Sequence, residues 1–235
     1  MIYQFSIQII VLMVYIMLLM WSLRSHNKTQ QALQWWFFRQ SFKLFLEAEK
    51  IRDGLLQESF TIRRNLELLP VDNLELSVNK TQECLTKTNN FHQSLAQLSD
   101  RLCPAYLEDS LPLAIESLLE SWLVSHPDFY VHIDMPKHWR NERAENSLIV
   151  LTALEELLRI TLPEVLTQIS IYISLKELGN VGQMVVKVTY PDTSTFSFYS
   201  NLPELGYLYE SFRFLTSGKC FCRSKNITAA WYFRW

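Results

Sequence analysis

Hydrophobic positions along this chain follow three successive patterns. From Phe5 to Leu23 they barely alternate: FSIQIIVLMVYIMLLMWSL is 19 residues without a formal charge, long enough for a helix to cross a hydrocarbon core. From Thr29 to Leu69 apolar residues return at mixed three- and four-residue steps, through Trp36, Phe42, Phe45, Ile51, Leu55, Phe60, Ile62 and Leu66. That is the spacing of one helical face, and about 40 residues at 1.5 Å each make a rod of roughly 60 Å. Residues 70–73, PVDN, read as a turn with Pro70 as the stop. A second helix then runs over 74–102, with Cys84, Leu85, Phe91, Leu95, Leu98 and Leu102 as its stripe. Two long helices joined by a short turn form a hairpin, and two hairpins make a four-helix bundle. The expected assembly is a homodimer or heterodimer through 29–102.

Beyond Leu102 the period shortens. A short helix is expected near 111–123, a strand over 129–136, and a helix with a buried face over 144–166. Strands follow at 168–178 and 182–191, then a helix over 203–218 stopped by Gly218, then strands at 219–224 and 228–235. Strand, helix, strand, strand, helix, strand, strand suggests helices on one face of a mixed sheet. The expected fold class is α+β: an N-terminal transmembrane helix, a long antiparallel hairpin, and an α/β sandwich. The expected domains are 1–28, 29–108 and 109–235.

Charge refines this picture. Arg24, Lys28, Arg39 and Lys43 lie on the C-terminal side of the apolar run, so the positive-inside rule places residues 24–235 in the cytoplasm. The expectation is a single-pass protein of a plasma membrane or an internal bacterial or plastid membrane, contacting lipid through 5–23. The run Trp35-Trp36-Phe37-Phe38 suits either a hydrophobic partner or lipid headgroups. A net charge of −2 gives no basic stripe of the kind that binds nucleic acid, and no nucleic-acid partner is expected. Cys220 and Cys222 share one strand face at a spacing that is not a metal motif, so no metal site is expected. The chain has 5 glycines, few for phosphate-cradling loops, and no cofactor is expected.

Two stretches carry a resemblance. EAEKIRDGLLQ (47–57) is similar to the phosphoacceptor motif of sensor histidine kinases, in the nitrate-sensor and DegS-like branch that works with LuxR-type response regulators. RLCPAYLEDSLPLAIESLLESW (101–122) resembles that branch's step into its catalytic half. The resemblance covers about 29–235 and implies a helical dimerisation hairpin followed by an ATPase-like α/β sandwich.

What the resemblance implies about chemistry is mostly loss. Arg52 occupies the phosphoacceptor position beside Asp53 and Gly54, and a permanently cationic guanidinium is no nucleophile. His92 reads as a solvated histidine rather than a replacement. In EELLRITLPE (155–164) Glu155 is kept, Arg159 stands where a magnesium-binding asparagine belongs, and Pro163 is expected to cut the helix short. Asp192 stands for the adenine-reading aspartate with no glycine after it, Gly206 alone remains of the second glycine-rich box, and KNITAAW (225–231) replaces the last. The expected function is therefore a membrane-anchored, catalytically inactive histidine-kinase-like protein that acts by protein binding, as a scaffold or regulator, and is not an enzyme. The alternatives are an accessory or assembly subunit of a membrane complex, and a divergent active kinase using Glu155, Glu156 and Asp192.

Overall fold

The computed structural model describes residues 2–69, 74–104, 106–107, 109–125, 129–162 and 169–235; side chains are described over these ranges except 2–11, 74–75, 101 and 125. The chain forms two compact units, 1–37 with 108–235, and 38–107. Helix α1 runs Ile2–Lys50 and is followed without a break by one π-helical turn, Ile51–Leu55, and by α2, Leu56–Glu67. Helix α3, Leu74–Leu102, packs along the π turn and α2. The turn expected at 70–73 lies outside the described residues.

The transmembrane segment of the expected fold class is corrected here. Among the described residues no helix is long and apolar enough to cross a membrane. The side chains of 5–11 lie outside the described ones. The expected single-pass location, the cytoplasmic placement of 24–235 and the lipid contact through 5–23 rested on that segment and fall with it.

The larger unit holds the sheet. Its elements are α4 (Leu111–Ser125), β1 (Tyr130–Asp134), α5 (Ala144–Thr161), β2 (Ser170–Leu178), β3 (Val181–Thr189), α6 (Thr193–Tyr199), α7 (Pro203–Thr216), β4 (Lys219–Lys225) and β5 (Thr228–Arg234). The strands lie in the order β1-β2-β3-β5-β4, with β1 parallel to β2 and the other pairs antiparallel. Helix α6 was not foreseen. Helix α5 ends at Thr161 rather than running to 166, and Leu162 after it is extended, the backbone a residue before proline prefers. Pro163 itself lies outside the described residues.

Period-two alternation builds the core. Ile171, Ile173 and Leu175 of β2 face Val188, Val186 and Met184 of β3, which face Ala229, Trp231 and Phe233 of β5. All nine are essentially inaccessible to solvent. Helical spacing supplies the covering layer: Ile115 and Leu119 from α4, Val150, Leu154, Leu157 and Leu158 from α5, Leu205, Leu208 and Phe212 from α7. Within the same unit α1 docks on α7: Ser211 Oγ donates to the carbonyl of Ala32 at 2.8 Å, and Trp35 of the aromatic run meets Tyr207. The α7 terminus also differs from expectation. Ser217, not Gly218, takes the left-handed cap (φ 54°). Gly218 is needed for space, because a Cβ there would lie 2.1 Å from the carbonyl oxygen of Arg234.

One buried carboxylate ties the sheet's end together. Glu142 Oε1 accepts from Trp235 Nε1 at 2.5 Å and from Arg140 Nη2 at 3.0 Å, and Oε2 accepts from Trp139 Nε1 at 3.2 Å. Arg140 in turn donates to the Asn180 carbonyl in the β2–β3 turn, and Gly182 and Trp235 exchange backbone hydrogen bonds. The Glu142 side chain is 5% exposed, so deleting it leaves three half-buried donors without their acceptor. Glu142→Ala is expected to cost about 3 kcal/mol of unfolding free energy, read by urea titration. A loss well under about 1 kcal/mol would show that the cluster only decorates the sheet.

Candidate functional site

The residues singled out by the sequence fall in four places. Arg52, Asp53 and Gly54 sit together in the π turn, a helix irregularity that often marks functional positions. Arg52 is turned onto its neighbours: Nε donates to Asp53 Oδ1 at 2.9 Å and Nη2 approaches Glu49 Oε1 at 3.5 Å. The hydrogen bond from Arg52, foremost, lowers the pKa of Asp53, and the same bond raises that of Arg52. Each holds the other charged. Both side chains stand in solvent. His92 is exposed on α3.

Gly54 opens a shallow hollow of about 190 Å³ lined also by Lys50, Ile51, Leu55, Glu58, Ser94, Gln97 and Leu98. A Cβ on Gly54 would meet nothing within 4 Å, and its φ is not positive. Neither crowding nor backbone conformation demands glycine there. Gly54→Ala is therefore expected to stabilise the protein by about 0.5–1 kcal/mol, measured as a rise in the urea midpoint at constant slope. A fall would mean that glycine is required by an occupant of the hollow or by a partner.

On α5, Glu156 and Arg159 close on each other. Arg159 Nε and Nη2 reach the same oxygen, Glu156 Oε2, at 3.0 and 2.5 Å, and Glu156 is buried. Glu155, the residue before it in the same helix, is half-buried. The guanidinium thus fixes a cation beside Glu156 on the helix surface. A divalent ion brought there would meet a charge of its own sign.

Asp192 has a different duty. It is the N-cap of α6, accepting the Thr195 backbone N–H at 2.8 Å and the Ser194 hydroxyl on Oδ1, and the Thr195 hydroxyl at 2.8 Å on Oδ2. Both oxygens serve the first turn of a seven-residue helix, which is how Ser/Thr-rich sequence becomes helical here. The bond from Ser194, and next that from Thr195, lower its pKa to about 2. Gly206 lies inside α7 and not in a loop, and 228–231 belong to β5, paired to β4 beyond a turn at Asn226.

Sequence reasoning passed over Tyr190. Its hydroxyl donates to the Thr161 carbonyl at 3.0 Å, joining the end of β3 to the end of α5, and its ring stacks with Tyr199 of α6. Burial pushes its pKa well up. An isolated Tyr before Pro191 carries no signal by which this joint could be read. Cys220 and Cys222 lie opposite Phe233 and Trp231 as free thiols, and burial raises the pKa of both.

No family model matches the chain, and no curated protein matches it. Solved structures of histidine kinases are similar to it at low overlap. The catalytic domain of ThkA is 11% identical over 53% of this chain and 88% of that one, with a TM-score of 0.38. AdeS of Acinetobacter baumannii is 8% identical over 77% and 95%, with a TM-score of 0.39. A histidine kinase of Burkholderia phymatum is 10% identical over 79% and 97%, with a TM-score of 0.40. These overlaps register a likeness to histidine kinases in fold and say nothing of which residues act.

The cap makes a pH prediction. Because the folded-state pKa of Asp192 is depressed from 3.8 to about 2, its contribution to stability is complete above about pH 4 and is lost as pH falls through about 2. Carboxyl NMR titration should give Asp192 a midpoint near 2, and Asp192→Asn should remove that part of the acid dependence. A midpoint at the ordinary value would mean the cap is open in solution.

Proposed function

We propose that this chain is a histidine-kinase-like protein that has left catalysis and works by binding another protein, as a scaffold or regulator, with helices 29–102 as its dimerising surface. The observation that carries this reading is the occupation of Asp192. The carboxylate in the adenine-reading position of the resemblance spends both its oxygens on the cap of α6. Two further positions support it. Arg159 closes on Glu156 instead of leaving a ligand for magnesium, and Arg52 closes on Asp53 where an acceptor imidazole would stand. Phosphoryl transfer requires a metal, a phosphate cradle and an aligned nucleophile together, and each of these positions is given to a local contact.

The binding half of the reading rests on the hairpin. Phe42, Phe45, Leu56, Phe60, Leu66, Leu85 and Leu95 are all exposed, on helices whose polar residues lie between them. A stripe of this extent on a long helix calls for a covering surface.

Two measurements test the two halves. Incubated with magnesium and γ-labelled ATP, the full chain should incorporate no label, and neither should Arg52→His. Label in the natural chain overturns the loss of catalysis; label in Arg52→His alone would show that the nucleotide half still works. In sedimentation equilibrium the chain should be dimeric, and Leu56→Asp with Phe60→Asp should shift it to monomer. A natural chain that stays monomeric at tens of micromolar would remove the dimer.

A further inference from the structure

The sheet's second face has a composition of its own. The register that turns Ile173, Val186 and Trp231 inward turns Lys176, Lys187, Lys219, Arg223, Lys225 and Arg234 outward. The carboxylate on the same face is Asp134, which accepts from the Tyr172 hydroxyl at 2.8 Å and lies 3.8 Å from Lys176. The whole chain carries a net charge of −2, so this cationic excess is local.

The plain explanation for lysine on a sheet is protection of an edge. It accounts for Lys219 and Lys225 on β4, but β3 and β5 are interior strands, and Lys187 and Arg234 lie on them. More telling, Lys219 and Arg234 are directly opposite one another across the β4–β5 ladder, an arrangement that costs stability in the free protein. The cations are held in place by rings. Arg223 lies 5.5 Å from the centres of both Phe221 and Tyr232, Arg234 lies 5.3 Å from Phe221, and Lys187 lies 4.9 Å from Tyr172. Among the described residues no ion pair neutralises Lys187, Lys219, Arg223 or Arg234.

We propose that this outer face, centred on Lys187, Arg223, Arg234 and Lys219, is a docking surface for an acidic segment of a partner protein. The charge and its tolerated self-repulsion ask for an anion. The rings decide which kind. Phe221 and Tyr232 stand nearly parallel (9°) at 4.9 Å, and His132 and Tyr172 likewise (14°) at 5.4 Å. Their faces are turned to each other and to the cations. A single-stranded nucleic acid would need an open ring face on which to stack a base. Carboxylates need only the positive charges, which β spacing sets at intervals of roughly 5–7 Å. The surface lies wholly on the sheet unit and is independent of the hairpin.

The test uses the full chain and two fluorescent probes, a twelve-residue polyglutamate peptide and a dT12 oligonucleotide, followed by anisotropy at about 20 and 150 mM salt. The peptide should bind at low salt and weaken as salt screens the charges. Lys187→Glu with Arg223→Glu should weaken it about tenfold or more, whereas Arg63→Glu, on exposed α2, should leave it unchanged. Lys187→Gln with Arg223→Gln, checked by its thermal melt, serves if the reversal does not fold. Absence of peptide binding at low salt, equal weakening by Arg63→Glu, or tighter dT12 binding that is lost in the sheet variants would each overturn the proposal. None of these results depends on whether the chain dimerises or transfers phosphate.

Discussion

The register of three strands is the constraint on which the sheet unit depends. Once Ile173, Val186 and Trp231 share one row of the inner face, every other side chain of β2, β3 and β5 is assigned a side, because a strand alternates with period two and a slip by one residue inverts it. The inner rows fix where α5 and α7 lie, since their apolar stripes must meet these residues. The same rows bring Tyr190 to the end of α5 and Trp231 Nε1 to the Tyr209 hydroxyl, 2.7 Å away. Burying the aliphatic rows also forces Lys219 opposite Arg234 on the other side. The outer cations are held in a repulsive arrangement by the strength of the inner packing.

At the positions singled out by the sequence, charged groups close on neighbours within a few residues. Arg52 takes Asp53, Arg159 takes Glu156, and Asp192 takes Ser194 and Thr195. Contacts this local need no tertiary structure to align them and are weak where exposed, but they change what the groups offer. A carboxylate already accepting from hydroxyls and a backbone N–H is a poor ligand for a metal or a base.

The sequence was most legible where burial repeats. Both long helices, the five strands and helix α7 could be read from periodicity, because an inaccessible face demands an apolar residue at fixed steps. Helix α6 was missed since its residues, TSTFSFY, favour strand or turn individually; a single capping aspartate decides the outcome. Glu142 was missed for a similar reason: nothing local marks a carboxylate that also accepts from Trp235, 93 positions away. The apolar run at 5–23 misled by hydropathy alone, and Gly218 was expected to stop α7, whose left-handed cap is Ser217. The site residues could be nominated by likeness to a motif, but their hydrogen-bond partners could not.

The two units differ in what they can do alone. The sheet unit buries its aliphatic rows completely and needs nothing further to exclude water from its core. Within 38–107 the buried described side chains are Glu47, Cys84 and Leu98. Two of these are apolar, too few to offset the conformational entropy of ordering helices of this length. Under the proposed dimer, covering the stripe would add the apolar burial that this core lacks.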